Sequence, residues 1–290
     1  MQKIIVTGSN GLIGSNFVRT YQDKYEIIPF DLSGTPSVDI TNEENLRQKL
    51  TENRDALAVV HLAAFTNVSA AHEQQGDKNG PAYQVNVVGT RNLARACADL
   101  DLYLVHISTA YVFNGDKPSL YFEDDVPSPI EWYGETKALA EKEVLASGAR
   151  SVILRIDQPF SAEKFAKVDT VHRIIDGLNN QSLYPQFANH YFGPTYIEDF
   201  SKVIEFFIRT QKTGLFHATS GEKWSDYDFA VAIQALLDLP GKVKKGDLDE
   251  YLKTLKRPYQ RNTAMNNDKL KEVLDFQLKT IQQALTEVKV

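Results

Sequence analysis

Lys3-Ile4-Ile5-Val6-Thr7-Gly8-Ser9-Asn10-Gly11-Leu12-Ile13-Gly14 sets a short apolar, β-branched run directly against three glycines. A helical pattern through Phe17, Val18 and Tyr21 follows, so the order reads strand, glycine loop, helix. Glycines at 8, 11 and 14 let the turn be tight, let backbone approach a diphosphate, and let helix and strand pack closely. The helix N-terminus offers unpaired N–H groups to phosphate. The loop Gly8, Asn10, Gly11, Leu12, Ile13 and Gly14 is therefore a candidate dinucleotide site. Its spacing is GxxGxxG rather than GxGxxG. Glu26 to Phe30 reads as a second strand, with Asp31 at its end, about where an acidic ribose ligand falls, roughly 20 residues on. A carboxylate there accepts from both ribose hydroxyls and repels a 2′-phosphate. No Lys or Arg follows until Arg47, so NAD(H) is favoured, with NADP(H) as the alternative.

Farther along, Thr41-Asn42-Glu43-Glu44 has the form of a capping box for a helix over 42–53, with Thr41 as cap and Glu44 reaching back. Asp39 and Ile40 just before it are candidates for the adenine end of the cofactor. Leu57 to Leu62 is a third strand, ending in His61-Leu62-Ala63-Ala64, where Ala63 and Ala64 allow a ligand to lie against backbone. A long helix with Asn86, Leu93, Ala94 and Cys97 precedes the strand Tyr103 to Ile107. Strands that alternate with helices in this way imply βαβ units and a parallel sheet. Later come the strand Val152 to Ile156, a helix over 162–179, a helix Ile197 to Arg209 and a strand Gly214 to Ala218. From Ser225 to Val290 the pattern is mostly helical. The fold expected is α/β, a Rossmann-type doubly wound parallel sheet over residues 1–158, with a smaller, mainly substrate-binding part over 159–290 from which 196–218 returns to the sheet.

Trp132-Tyr133-Gly134-Glu135-Thr136-Lys137 puts a phenol and an ammonium on one helix face at i and i+4. A positive charge held near a phenol favours its ionised form and draws its pKa toward values useful for proton transfer. Gly148 is the natural stop for this helix. Ser108-Thr109-Ala110-Tyr111-Val112-Phe113 sits at the carboxyl end of a strand, where open α/β sheets bind ligands.

With glycine loop, Asp31, Thr109 and the Tyr133/Lys137 helix in one order, the chain resembles the extended short-chain dehydrogenase/reductase superfamily. Ser108 to Gly115, Phe192-Gly193-Pro194-Thr195-Tyr196, and Arg257-Pro258 with Asn262-Thr263 look most like the dTDP-4-dehydrorhamnose reductase family. That family reduces the 4-keto group of a nucleotide-linked deoxysugar. The resemblance implies that Tyr133 donates a proton to the ketone oxygen, and that Lys137 holds the nicotinamide ribose and lowers the Tyr133 pKa. It implies that Thr109 hydrogen-bonds the same oxygen, with Ser108 as second choice. Asn86 would hold its helix and a water chain. Ala63 and Ala64 would lie at the nicotinamide, and Arg257 at the substrate diphosphate. Tyr111, Phe113, Trp132 and Tyr191 are the aromatic candidates for the cleft lining. Ala110 stands where the family commonly has Asp, and the opening Thr7 to Gly14 reads more like the epimerase branch. A nucleotide-sugar epimerase with tightly bound NAD is thus one alternative. A non-catalytic subunit, like the reductase-like regulatory subunit of methionine adenosyltransferase, is the other.

The remaining composition narrows the class. The chain has 290 residues, 42% hydrophobic and 24% charged, the proportions of an ordinary globular protein. Its formal charge of -6 is spread out, and no basic run is longer than Lys244-Lys245, which speaks against nucleic acid or an anionic membrane as partner. One cysteine, Cys97, excludes an internal disulfide and suits a reducing compartment. No metal is expected, since the six histidines show no HxxxH spacing. A cytoplasmic enzyme acting on a nucleotide sugar, with the homodimer common in the superfamily, is the expectation.

Overall fold

The computed structural model describes residues 1–33 and 37–290. Six apolar segments form one parallel sheet: β1 (Lys3–Thr7), β2 (Glu26–Phe30), β3 (Ala58–His61), β4 (Leu104–Thr109), β5 (Ser151–Ile156) and β6 (Gly214–His217). The order across it is β2-β1-β3-β4-β5-β6. The inner strands β1, β3, β4 and β5 are almost continuously buried because helices cover both faces, as a parallel sheet requires. Alternation then sorts side chains between two cores. Ile4 and Val6 pack with Phe17 of the helix Leu12–Tyr21 and with Phe200, Val203, Ile204 and Phe207 of the helix Ile197–Thr210. Ile5, one residue out of phase, packs instead with Leu46 and Leu50 of Glu43–Glu52, with Leu93 and Cys97 of Thr90–Asp99, and with Val144 of Trp132–Ala146. Cys97 is a buried apolar residue, its thiol pushed up to about 12 by burial. Since the chain leaves β1 toward β2 on one side and β3 lies on the other, a crevice opens at the carboxyl ends of β1 and β3.

A third core joins Phe160, Ile174, Phe192, Phe229, Ile233 and Ile281 in the residues after β5. Several boundaries differ from the sequence reading. Asn42, not Thr41, caps Glu43–Glu52, accepting from the Asn45 amide at 3.0 Å, while Thr41 donates backbone and hydroxyl to Asp39 Oδ1. The helix around Asn86 is not uniform. It passes from Pro81–Tyr83 through a π turn, Gln84–Gly89, to the α-helix Thr90–Asp99. The helix expected over 162–179 starts only at Thr170, capped by Asp169. After Ser225 only Asp226–Leu236 is a long helix; Leu248–Leu252, Asp268–Val273 and Ile281–Leu285 are short, and irregular chain joins them. Gly148 does end its helix, at φ +78°. Among the described residues no helix is long and apolar enough to cross a membrane.

Candidate active site

The glycine loop is built without slack. A Cβ on Gly14 would lie 2.3 Å from Gly8 O and 2.7 Å from Ser9 Cα, and one on Gly8 would lie 2.7 Å from Ala63 N. Gly8 also holds φ +69°. Gly11 caps the helix Leu12–Tyr21 with no side-chain bond to its first N–H groups, so Leu12, Ile13 and Gly14 present free donors at a positive helix end. That donor set suits a diphosphate. Ala63 is fixed by donating to Thr7 Oγ1 at 3.1 Å, and the same hydroxyl meets His61 Nδ1 at 2.8 Å. His61 Nε2 meets Thr90 Oγ1 at 3.0 Å, and burial keeps this ring neutral, its pKa pushed down to about 3. Ala64 is half-buried beside it. Asp31 lies buried at the end of β2 and accepts from the Ser9 hydroxyl, while Asn10 donates to Ser33 Oγ at 3.4 Å. Asp39 faces the turn at Thr41, and Ile40 packs so closely on Gly89 that a Cβ there would meet its side chain at 2.6 Å.

Glu131 starts the catalytic-helix candidate. Its carboxylate accepts from the Tyr133 amide at 2.8 Å and from the Gly134 amide at 2.7 Å, an acidic cap placed where the helix dipole favours it. Gly134 is obligatory, because a Cβ would sit 2.1 Å from Tyr111 O. This close approach brings Tyr111 edge-on to Tyr133, ring centroids 5.8 Å apart at 70°. The Thr109 hydroxyl, at the end of β4, accepts from the Tyr111 amide at 3.3 Å and lies close enough to the Tyr133 phenol to act on it. Burial pushes that phenol well up. The nearby Thr109 hydroxyl opposes the rise, and the Glu131 and Asp157 charges add to it. Burial, not the Lys137 charge, is the largest influence on the phenol. The Lys137 ammonium is buried, donates to Ile107 O at 2.7 Å, and is pushed down to about 8 by burial, against the pull of Glu141.

Asn86 ties the parts together from the π turn: its Oδ1 accepts from Phe65 N at 2.8 Å, and its Nδ2 donates to Phe65 O and to Thr136 Oγ1 at 3.1 and 2.9 Å. Ser108 is not a second choice for the substrate oxygen. Alternation along β4 turns it away from Thr109, and its hydroxyl donates to Glu141 Oε1 at 2.5 Å. Glu141 in turn takes a bidentate bond from Arg155, Nε at 2.8 Å and a terminal nitrogen at 2.7 Å, with both side chains almost wholly buried. Phe113 and Trp132 are core rather than lining. Phe113 lies under the Arg155 guanidinium and stacks on Tyr121 at 4.2 Å; Trp132 stacks on Tyr83 at 6.2 Å. Tyr191 is half-buried, with the Lys223 ammonium 4.2 Å over its ring. The Arg257 guanidinium stacks over Tyr259 at 5.0 Å, and its charge bears on both Tyr111 and Glu131.

Three groups escaped the sequence reading: the Glu131 cap, the Glu141–Arg155 pair and Asp157. Glu131 carried a local signal, an acid immediately before the helix. The other two depend on partners brought from other parts of the chain.

Comparison with known proteins gives a consistent picture. The family model described as RmlD substrate binding domain matches residues 1–289. A dTDP-4-dehydrorhamnose reductase of Aggregatibacter actinomycetemcomitans is 29% identical, over 100% of this chain and 99% of that one. The crystal structure of dTDP-4-dehydrorhamnose reductase from Bacillus anthracis in complex with NADP superposes with a TM-score of 0.87 at 28% identity, covering 98% of each chain. The beta subunit of methionine adenosyltransferase 2 from Pongo abelii is 27% identical, over 93% of this chain and 81% of that one.

Proposed function

The chain belongs to the RmlD substrate binding domain family, and from that membership we propose that it reduces the keto group of a dTDP-4-dehydro-6-deoxy sugar, dTDP-4-dehydrorhamnose or a close analogue. The observation that carries the proposal is the Thr109 hydroxyl close to the Tyr133 phenol at the end of β4, with Lys137 one turn along on the same helix. A nicotinamide dinucleotide, when bound, supplies the hydride. Gly8, Gly11 and Gly14 with the N–H groups of Leu12 and Ile13 would take its diphosphate, Asp31 its adenosine ribose, and Ala63 and Ala64 would flank its nicotinamide. Asp31 favours NADH. Residues 1–158 would serve the cofactor and 159–290 mainly the sugar nucleotide, with Arg257 at the substrate diphosphate.

Tyr133, kept protonated by its burial, donates its proton to the ketone oxygen as that oxygen gains charge. Thr109 hydrogen-bonds the same oxygen and so orients the carbonyl toward the phenol. Lys137 carries a positive charge at neutral pH, since its pKa of about 8 lies above it, and holds ribose hydroxyls. Asn86 keeps the helix in register with the loop at Phe65.

Tyr133→Phe tests this directly. NADH or NADPH oxidation with dTDP-4-dehydrorhamnose should fall by roughly 10²–10⁴, the share of a positioned acid, while cofactor binding stays intact. Equal turnover in the variant refutes the role of the phenol. Wild-type protein that binds dinucleotide yet turns over no keto sugar favours the subunit-like reading instead.

A further inference from the structure

Ser108, Glu141 and Arg155 enter none of the steps above, although all three are almost wholly buried and meet on the helix Trp132–Ala146. Glu141 stands four residues after Lys137 and eight after Tyr133, so the three lie along one helix face. That face is bonded to β4 at two successive residues: Lys137 Nζ donates to Ile107 O at 2.7 Å, and the Ser108 hydroxyl donates to Glu141 Oε1 at 2.5 Å. Thr109, close to the Tyr133 phenol, is next along the strand. From β5, Arg155 lies opposite Ser108 in the sheet register and closes on the same carboxylate with two nitrogens, at 2.8 and 2.7 Å. Its remaining nitrogen is 3.4 Å from His217 Nε2 of β6, and the guanidinium carbon lies 5.0 Å over the Phe113 ring. Three neighbouring strands and the helix of the proton donor thus converge on one ion pair.

A buried ion pair is a weak source of stability, because desolvating two charges offsets most of their attraction, and apolar residues of like volume hold a core as well. What this pair supplies is direction. A planar guanidinium meets a carboxylate through two parallel bonds, which fix angle as well as distance, whereas an apolar contact fixes neither. We infer that the Ser108, Glu141 and Arg155 cluster positions Tyr133, by locking its helix in rotation and height against the ends of β4 and β5 so that the phenol meets the ketone oxygen beside Thr109. The Glu131 cap and the close approach of Gly134 to Tyr111 hold the helix at its start. The cluster holds it two turns on, and Tyr133 and Lys137 lie between the two fastenings. Glu141 and Arg155 are therefore positioning residues, which touch neither substrate nor cofactor. This rests on the reductase reading of the site.

The test combines Arg155→Met with Glu141→Leu in the full chain, which removes the direction and keeps the bulk. At saturating dinucleotide, kcat for dTDP-4-dehydrorhamnose should fall roughly 10- to 100-fold, the effect of a reacting group displaced by about 1 Å, with KM for the sugar unchanged. In a Tyr133→Phe background the same two substitutions should cost nothing further, because a device that acts through the phenol has nothing left to position. Ser108→Ala, which keeps the ion pair and decides the matter should the double variant fail to fold, should lower kcat in the same selective way. Amide hydrogen exchange, which needs no substrate, should rise about tenfold over Tyr133 to Glu141 in the double variant, while the sheet strands exchange as in the wild type. The inference is overturned if either variant turns over at the wild-type rate, if the loss persists in full beside Tyr133→Phe, if KM rises in step with the fall in kcat, or if the helix exchanges no faster. Turnover by the wild type is scored separately: without it the reductase reading fails, while the exchange result still decides whether the cluster holds the helix.

Discussion

Asp157→Asn should stabilise the protein, and the gain should grow with pH. In the fold, burial pushes the carboxyl up to about 7 from an ordinary 3.8, against the opposing bonds from Thr263 and Gly193 and the charge of His190. The folded protein therefore keeps a proton that the unfolded chain has released once pH exceeds 3.8. Stability falls as pH rises from 3.8 to 7, and the loss is complete above 7. At about 1.4 kcal/mol per pH unit this amounts to roughly 4 kcal/mol, of which some 3 kcal/mol lies between pH 5 and pH 8.5. Asparagine is neutral throughout and escapes the loss. The Tyr111 and Tyr133 phenols, on which the Asp157 charge also bears, are both pushed up and stay protonated across the window. Urea unfolding of both proteins at pH 5 and 8.5 measures the effect. The advantage of the variant should widen by roughly 3 kcal/mol between the two conditions. A difference that is the same at both pH values refutes the reasoning, because it would mean that the carboxyl titrates alike in the folded and unfolded chain.

Gly14→Ala forces a methyl against the backbone of Gly8 and Ser9, so dinucleotide binding should weaken by about 10- to 100-fold in a fluorescence titration, the range for overpacking a rigid site. Lys137, with its pKa of about 8, carries its charge below that value and loses it above; cofactor affinity should drop between pH 7 and 9.5 in the wild type and stay flat in Lys137→Met. Arg155→Met leaves Glu141 buried without its bidentate partner and should cost about 3–5 kcal/mol in denaturant unfolding, whereas Arg155→Met with Glu141→Leu should recover most of it.

What the sequence made legible was local. β1, the glycine loop and its helix lie within 19 residues of one another, and Gly11 and Gly14 answer backbone contacts a few positions away, so their spacing carried the information. Thr109, Tyr133 and Lys137 were legible for a second reason: strand end and helix face are periodic features, and periodicity survives in a single chain. Ser108 shows the limit. Neighbouring hydroxyls look interchangeable on paper, but the pleat turns them to opposite faces, and only Ser108 reaches Glu141. Asp157 and the Glu141–Arg155 pair were illegible because their meaning comes from Gly193, Thr263 and Ser108, residues far off in sequence or on another element. The end of the chain misled for a related cause. Its order rests on side-chain bonds such as Asn262 Nδ2 to Lys117 O and Ser119 O, at 2.7 and 2.8 Å, rather than on a helical repeat.

The placement of β6 has a practical consequence. It joins the open side of β5 only after the chain has run through Asp157 to Thr213, and the helix Ile197–Thr210 on that excursion supplies six buried residues of one core. A protein cut after residue 158 would expose β5 as a bare ribbon and strand Ile4, Val6, Val105 and Leu154 beneath missing cover, an invitation to self-pairing and aggregation. Residues 1–158 are thus not a detachable module, and loops can be exchanged with relatives only on an intact chain.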